Sequence, residues 1–248
     1  MTDAATDLSL VHPLSIAIDG PSGSGKSSVS KAVARSLGLA YLDTGAMYRA
    51  ATLWVMGRGI ALDDQVAVAR AVKDMPLVQV LDPVSPGVEL DGIDVADAIR
   101  SADVTTNVSK VATNLDVRGE LRARQRAIID QERATGGFSA GRGIVAEGRD
   151  ITTVVAPDAD VRILLTASEE ARLARRSLEV NGTANKEAVD SMRDQVVRRD
   201  RDDSTVTQFT VAADGVVTLD SSDLDFDQTV AAALRIVAKH APARPVTP

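Results

Sequence analysis

The chain has 248 residues and a formal net charge of −7, with 28 basic against 35 acidic side chains. Its 44% hydrophobic content supports a sizeable core, an aliphatic one because aromatics are only 2%, and the acidic balance argues against a binder of polymeric nucleic acid. Cysteine is absent, which excludes disulfides, thiol catalysis and cysteine metal sites and is compatible with the cytoplasm, the expected location.

The opening residues MTDAATDLSLVHP carry acids and no basic start ahead of an apolar stretch, so no secretory signal is expected. No run of about 18 apolar residues follows, so no membrane contact is expected either. Residues 14–18, LSIAI, form a short β-branched run that reads as a buried parallel strand. The glycine-rich residues 20–25 break it, and 26–38 then show helical spacing with a glycine stop. A second strand is expected within 39–45, with helices over 46–59 and 63–73. The texture changes at 76–95, where alternating apolar positions are broken by Pro-Gly and Asp-Gly, the pattern of a small antiparallel insert.

Helical stretches follow near 97–112 and 116–133, and buried strands are predicted at 143–148 and 161–167. Between 168 and 201 lies an arginine-rich helical hairpin broken at NGTAN. A final strand is expected at 215–222 and an amphipathic helix at 226–239. This alternation predicts an α/β fold, a parallel sheet sandwiched by helices with a small antiparallel insert. The glycine-rich loop at 20–27 makes it a fold of the P-loop NTPase type, in which the arginine-rich hairpin is expected to be a helical lid. The expected division is a core of 14–75 and 134–239, an insert region of 76–133 and a lid of 168–203 within the core. Residues 1–13 and 240–248 are expected to be flexible ends.

Gly20, Pro21, Ser22, Gly23, Ser24, Gly25, Lys26 and Ser27 satisfy G-x-x-x-x-G-K-[ST] between a strand and a helix, with Ser28 next in line. Glycines let backbone N–H groups turn inward around phosphate oxygens, and the helix offers its positive end. Lys26 would reach the β- and γ-phosphates, and the Ser27 hydroxyl would ligate Mg²⁺. Asp19 either helps hold metal-bound water or orients the loop, and Glu147 is a second candidate for the metal.

Such loops serve switches, motors and small-molecule kinases. The nearest match to a guanine-reading N-K-x-D is Asn185-Lys186-Glu187-Ala188, which lacks the carboxylate. A kinase must hold two anionic substrates and needs converging arginines. Arg49 lies at the start of a helix, and Arg149 with Asp150 just beyond a strand end. Arg172, Arg175 and Arg176 have the i, i+3, i+4 spacing of one helix face, and Arg198, Arg199 and Arg201 follow the hairpin.

IDGPSGSGKSS, YLDTGAMYR, AEGRDITTVVAPDADVRILLTAS and RRDRDDS, in this order over residues 14–220, resemble the bacterial cytidylate kinases. The resemblance implies transfer of the γ-phosphoryl of ATP to CMP or dCMP with Mg²⁺, by a monomer. Lys26, Arg149, Arg172, Arg176 and Arg199 are the implied catalytic set, with ATP on residues 20–28. Thr44, Tyr48, Arg49, Arg100, Ser109, Arg118, Arg149, Asp150, Arg199 and Asp203 are implied at the CMP site. In that set Asp150 would accept from the cytosine amino group, which uracil lacks. Two positions depart from the family pattern. Val206 stands where an arginine is usual, with Arg201 a possible replacement, and Thr152 stands where glycine is usual. Another acceptor, such as UMP or AMP, or a nucleotide-dependent switch, are the competing readings.

Overall fold

The computed structural model describes residues 13–183 and 185–242, without the side chains of 179, 181, 191, 192, 194, 195 and 199. The expected flexible ends therefore lie almost wholly outside the described residues. Five parallel strands form the main sheet: β1 (Leu14–Asp19), β2 (Ala40–Asp43), β6 (Gly143–Gly148), β7 (Val161–Thr166) and β8 (Val217–Asp220). Their order is β2-β6-β1-β7-β8. β1 and β6 are buried at every residue, which is why their sequences are mostly apolar instead of alternating.

Successive side chains on β1 feed opposite faces. Ile16 and Ile18 pack with α1 (Lys26–Leu37) and α8 (Phe226–His240), whereas Ala17 joins the core under α2 (Thr44–Gly57) and α5 (Leu115–Gln131). The predicted insert is a three-stranded antiparallel sheet, β3 (Leu77–Val80), β4 (Gly87–Leu90) and β5 (Ile93–Asp94). It is flanked by α3 (Gln65–Lys73) and α4 (Ala102–Ala112). The arginine-rich hairpin is α6 (Glu169–Asn181) and α7 (Lys186–Ser204). Ser168 and Asn185 cap its two N-termini, and Gly182 closes α6 in the left-handed conformation. Among the described residues no helix is long and apolar enough to cross a membrane.

One element was not legible beforehand. Residues Ile151–Val155 form a single π-type turn directly after β6, with Val155 and Ala156 donating to carbonyls five residues back. Asp19, at the end of β1, holds it. Its carboxylate accepts from Ile151 N at 2.9 Å, Thr152 N at 2.8 Å and the Thr152 hydroxyl at 2.6 Å. Asp19 thus orients the chain beyond β6, and the threonine at 152 supplies two of its three donors, the hydroxyl being one that glycine could not give. Both oxygens are taken by this turn, so the alternative reading of Asp19 as a holder of metal-bound water is not what the geometry favours.

Asp19→Ala leaves two buried backbone N–H groups without their acceptor, and a stability loss of about 3 kcal/mol is expected. Urea unfolding measures it, and a loss below about 1 kcal/mol contradicts this account of the turn.

Candidate active site

The strand-to-helix turn at residues 20–27 is a cradle by construction. Gly25, the residue before α1, sits at φ 85°, and Gly23 at φ 78°. A Cβ on Gly23 would also meet the Arg172 carbonyl oxygen at 2.5 Å, so no other residue fits there. The first turn of α1 carries no acidic side chain, which leaves its positive end for an anion. Lys26 Nζ donates to the Pro21 carbonyl at 3.4 Å, folding back over the loop. Ser22, Gly23, Gly25, Lys26, Ser27 and Ser28 line a cavity of about 660 Å³, while Gly20, Pro21 and Ser24 frame the turn without lining it.

The floor of this cavity is Glu147, near the end of β6, with its side chain fully buried and in register with Asp43 on β2. Glu147 Oε1 accepts from the Ser27 hydroxyl at 2.6 Å and from the Tyr41 hydroxyl at 3.2 Å. Burial, with Asp43 beside it, pushes the Glu147 carboxyl up to about 7, against the pull of Lys26 and its hydroxyl donors. Tyr41 is pushed well above the ordinary phenol range, chiefly by burial. The donor set of Ser27 and Glu147 suits Mg²⁺, a hard cation that takes one or two protein oxygens and completes its shell with phosphates and water. Among the described residues there is no cluster of three or more acidic, imidazole or thiol groups that could hold a metal ion.

Across the cavity lie the residues expected at the second nucleotide. Thr44, Tyr48, Arg49, Arg100, Arg118, Arg149, Asp150 and Asp203 all line it. Thr44 donates to the Glu147 carbonyl at 2.8 Å. Arg49 Nη1 donates to the Ile99 carbonyl at 3.2 Å and to the Thr105 hydroxyl at 2.9 Å, which aims it from α2 toward the insert. Burial lifts the Tyr48 phenol to about 12. Asp150 is the hub of this wall: its Oδ2 accepts from Arg118 Nη2 at 2.6 Å and from Arg122 Nε and Nη2 at 2.9 and 2.7 Å. Ser109 does not belong with these residues. It is half-buried on α4 and does not line the cavity, although Thr105, Val108 and Ala112 on the same helix do.

The arginines in and around the hairpin divide into two kinds. Arg149 donates from Nη1 to Asp200 at 2.8 Å, pairs through Nε with Asp203 at 2.9 Å, and stacks over Phe209 at 4.4 Å. Arg172 donates to the Ser22 carbonyl at 2.9 Å and to Asp200 at 2.5 Å, and sits against the cradle without itself lining the cavity. Arg176 lines the cavity. Arg175, one residue away, is an anchor instead: it donates to the Ser221 hydroxyl and carbonyl at 3.0 and 2.6 Å, to the Leu224 carbonyl at 3.2 Å and to the Ser24 carbonyl of the cradle at 3.3 Å, tying α6 to both without lining the cavity. The i, i+3, i+4 cluster therefore does not act as one set. Arg201 does not fill the place left by Val206, because its side chain is 76% exposed, faces Asp202 and does not line the cavity. Arg199 lies on α7, and its side chain is outside the described residues.

The cytidylate kinase family model matches residues 16–239, nearly the whole chain. The chain belongs to the cytidylate kinase family. A cytidylate kinase of Streptomyces avermitilis is 45% identical over 90% of this chain and 91% of its own. Those of Nocardia farcinica and Cutibacterium acnes are each 46% identical, over 92% and 91% of this chain and 94% and 96% of theirs. A crystal structure of TT1252 from Thermus thermophilus aligns over 94% of this chain and 100% of its own, at 18% identity and a TM-score of 0.43. The chain is accordingly an enzyme, a kinase of a nucleoside monophosphate.

Two residues that hold this kinase's cavity carboxylates were not singled out from the sequence: Tyr41, which lines the cavity, and Arg122, which does not. Arg122 stands four residues after Arg118 on α5, the spacing that puts both guanidinium groups on Asp150. Tyr41 faces Glu147 from β2, and a single tyrosine in an apolar strand gave no chemical signal of its own.

Glu147 generates a pH test. Its carboxyl is raised from 4.5 to about 7 by folding, so its contribution to stability is present below its unfolded value and lost as pH rises through about 7. Glu147→Gln removes that loss, so thermal unfolding should favour the variant over the parent more at about pH 8 than at about pH 5. A difference independent of pH contradicts the buried-carboxylate account.

Proposed function

We propose that this kinase transfers the γ-phosphoryl group of ATP to CMP or dCMP, giving CDP or dCDP and ADP. The observation that carries the reading is a single cavity lined on one side by Lys26 and Ser27 and on the other by Arg49, Arg100, Arg118 and Asp150. Two phosphate-bearing ligands fit such a cavity with their phosphates facing.

In this reading the amides of the cradle and Lys26 hold the β- and γ-phosphates of ATP. Ser27 and Glu147 would hold Mg²⁺, which would supply positive charge to offset that of the phosphates. Arg49 and Arg100 hold the phosphate of the acceptor, and Arg149, Arg172 and Arg176 stabilise charge on the moving phosphoryl group. An acceptor phosphate oxygen forms a bond to the γ-phosphorus as the bond to the β-bridging oxygen breaks, and ADP departs with that electron pair. The nucleophile is already anionic, so no side chain need act as a general base. Arg199 and Asp203 are assigned to the ribose and phosphate of the acceptor.

Asp150 sets the choice of base. All three of its guanidinium bonds fall on Oδ2, and Oδ1 accepts from the cytosine 4-amino group. Uracil presents an oxygen at that position, and the mismatch is worth about 1–3 kcal/mol. Rates with CMP, dCMP, UMP and AMP test this directly. CMP and dCMP should exceed UMP and AMP, and Asp150→Asn should shrink the CMP-to-UMP ratio of kcat/KM about tenfold or more. A preference for UMP or AMP in the parent enzyme, or an unchanged ratio in the variant, would contradict the cytosine assignment.

A further inference from the structure

Asp200 has no role in the reading above, yet its carboxylate joins three distant segments. Oδ1 accepts from the Ser22 backbone N–H at 3.0 Å and from Arg149 Nη1 at 2.8 Å, and Oδ2 accepts from Arg172 Nη1 at 2.5 Å. Arg172 closes the figure by donating to the Ser22 carbonyl. One side chain near the end of α7 therefore ties together the third residue of the phosphate cradle, the loop after β6 and the first turns of α6.

We infer that Asp200 is a positioning residue for phosphoryl transfer, holding Arg149 and Arg172 at the cradle so that both guanidinium groups meet the γ-phosphoryl already oriented. The inference rests on the phosphoryl-transfer reading above. Three observations support it. The side chains of Asp200, Arg149 and Arg172 are only 12 to 14% exposed, so water screens their attraction weakly. A single carboxylate accepting from two guanidinium groups fixes the angle between them, because each presents its N–H groups in a rigid fork. In these contacts Arg172 uses only Nη1 and Arg149 only Nη1 and Nε, so both keep N–H donors for an incoming anion. Asp203 also pairs with Arg149 from α7, but of the two acids only Asp200 reaches Arg172 and the cradle as well.

The test is Asp200→Asn, which keeps the shape and removes the charge. With ATP, Mg²⁺ and CMP, kcat should fall about 10- to 100-fold, the scale of a misplaced catalytic group. KM for CMP should stay within about threefold, because Arg49, Arg100 and Asp150 still hold the acceptor. A merely structural role would lower thermal stability and move both constants together. The double variant with Arg172→Ala separates the cases further: if Asp200 acts through Arg172, the second substitution adds little to the first. Should Asp200→Asn not fold, Asp200→Glu carries the same cycle. Losses that multiply in the double variant, or a kcat within about twofold of the parent, overturn the inference. A parent enzyme that does not phosphorylate CMP overturns the functional reading instead, so the two failures are distinguishable.

Discussion

Three neighbouring strands end in acids, and the site depends on how each acid is answered. Asp19 closes β1, Asp43 closes β2 and Glu147 stands one residue from the end of β6, with Asp43 and Glu147 in register. Like charges gathered at one sheet edge repel and lose water together. Asp43 is answered by the first turn of α2, whose Ala46 N–H it accepts at 2.9 Å. Asp19 is answered by the turn at 151–155. Glu147 has two hydroxyls and the nearby Lys26, and is left with its carboxyl raised. The acid with the least complete answer is the one beside the cradle, where a cation is wanted. The other two use their charge to set backbone: the start of the helix carrying Arg49, and the turn following Arg149 and Asp150.

The arginines follow the same logic from the opposite sign. Arg175 is consumed by carbonyls and anchors the base of the hairpin, and Arg118 and Arg122 are consumed by Asp150. Arg118 and Asp150 are almost fully buried, with 5% of each side chain exposed, so removing either leaves an uncompensated charge. That pair therefore serves a fixed geometry at the base-reading wall more than net stability. Arg149 and Arg172, by contrast, retain donors while being pinned at one end. Pinned cations with donors to spare are what a site that stabilises transient negative charge requires.

Much of this was legible in the sequence. Strands β1 and β6 announced themselves as mostly apolar runs, the insert as alternation interrupted by turn residues, and the cradle as a motif whose spacing has a mechanical reason. The turn at Ile151–Val155 was not legible, because five mostly β-branched residues have no helical period, and what makes them a turn is Asp19 more than 130 positions earlier. Ser109 was expected at the cytosine through the family resemblance, but its side chain does not line the cavity that Thr105, Val108 and Ala112 of the same helix line. Arg201 read as a substitute for the arginine missing at 206, yet its side chain points to solvent. Helix spacing alone grouped Arg175 with Arg172 and Arg176, and only the packing of α6 against residues 221–224 separates them. Local pattern fixes elements, whereas the assignment of charged side chains needs the partners that the fold brings.

The central claim is that the cradle and the arginine wall form one site, in which phosphoryl transfer waits for the acceptor. ADP release from ATP and Mg²⁺, followed with and without CMP, tests it most directly. The account predicts slow release without CMP and a rise of about 100-fold or more when CMP is added, since water is a poorly positioned nucleophile in a site built for an acceptor phosphate. Release that is equally fast with and without CMP would contradict it.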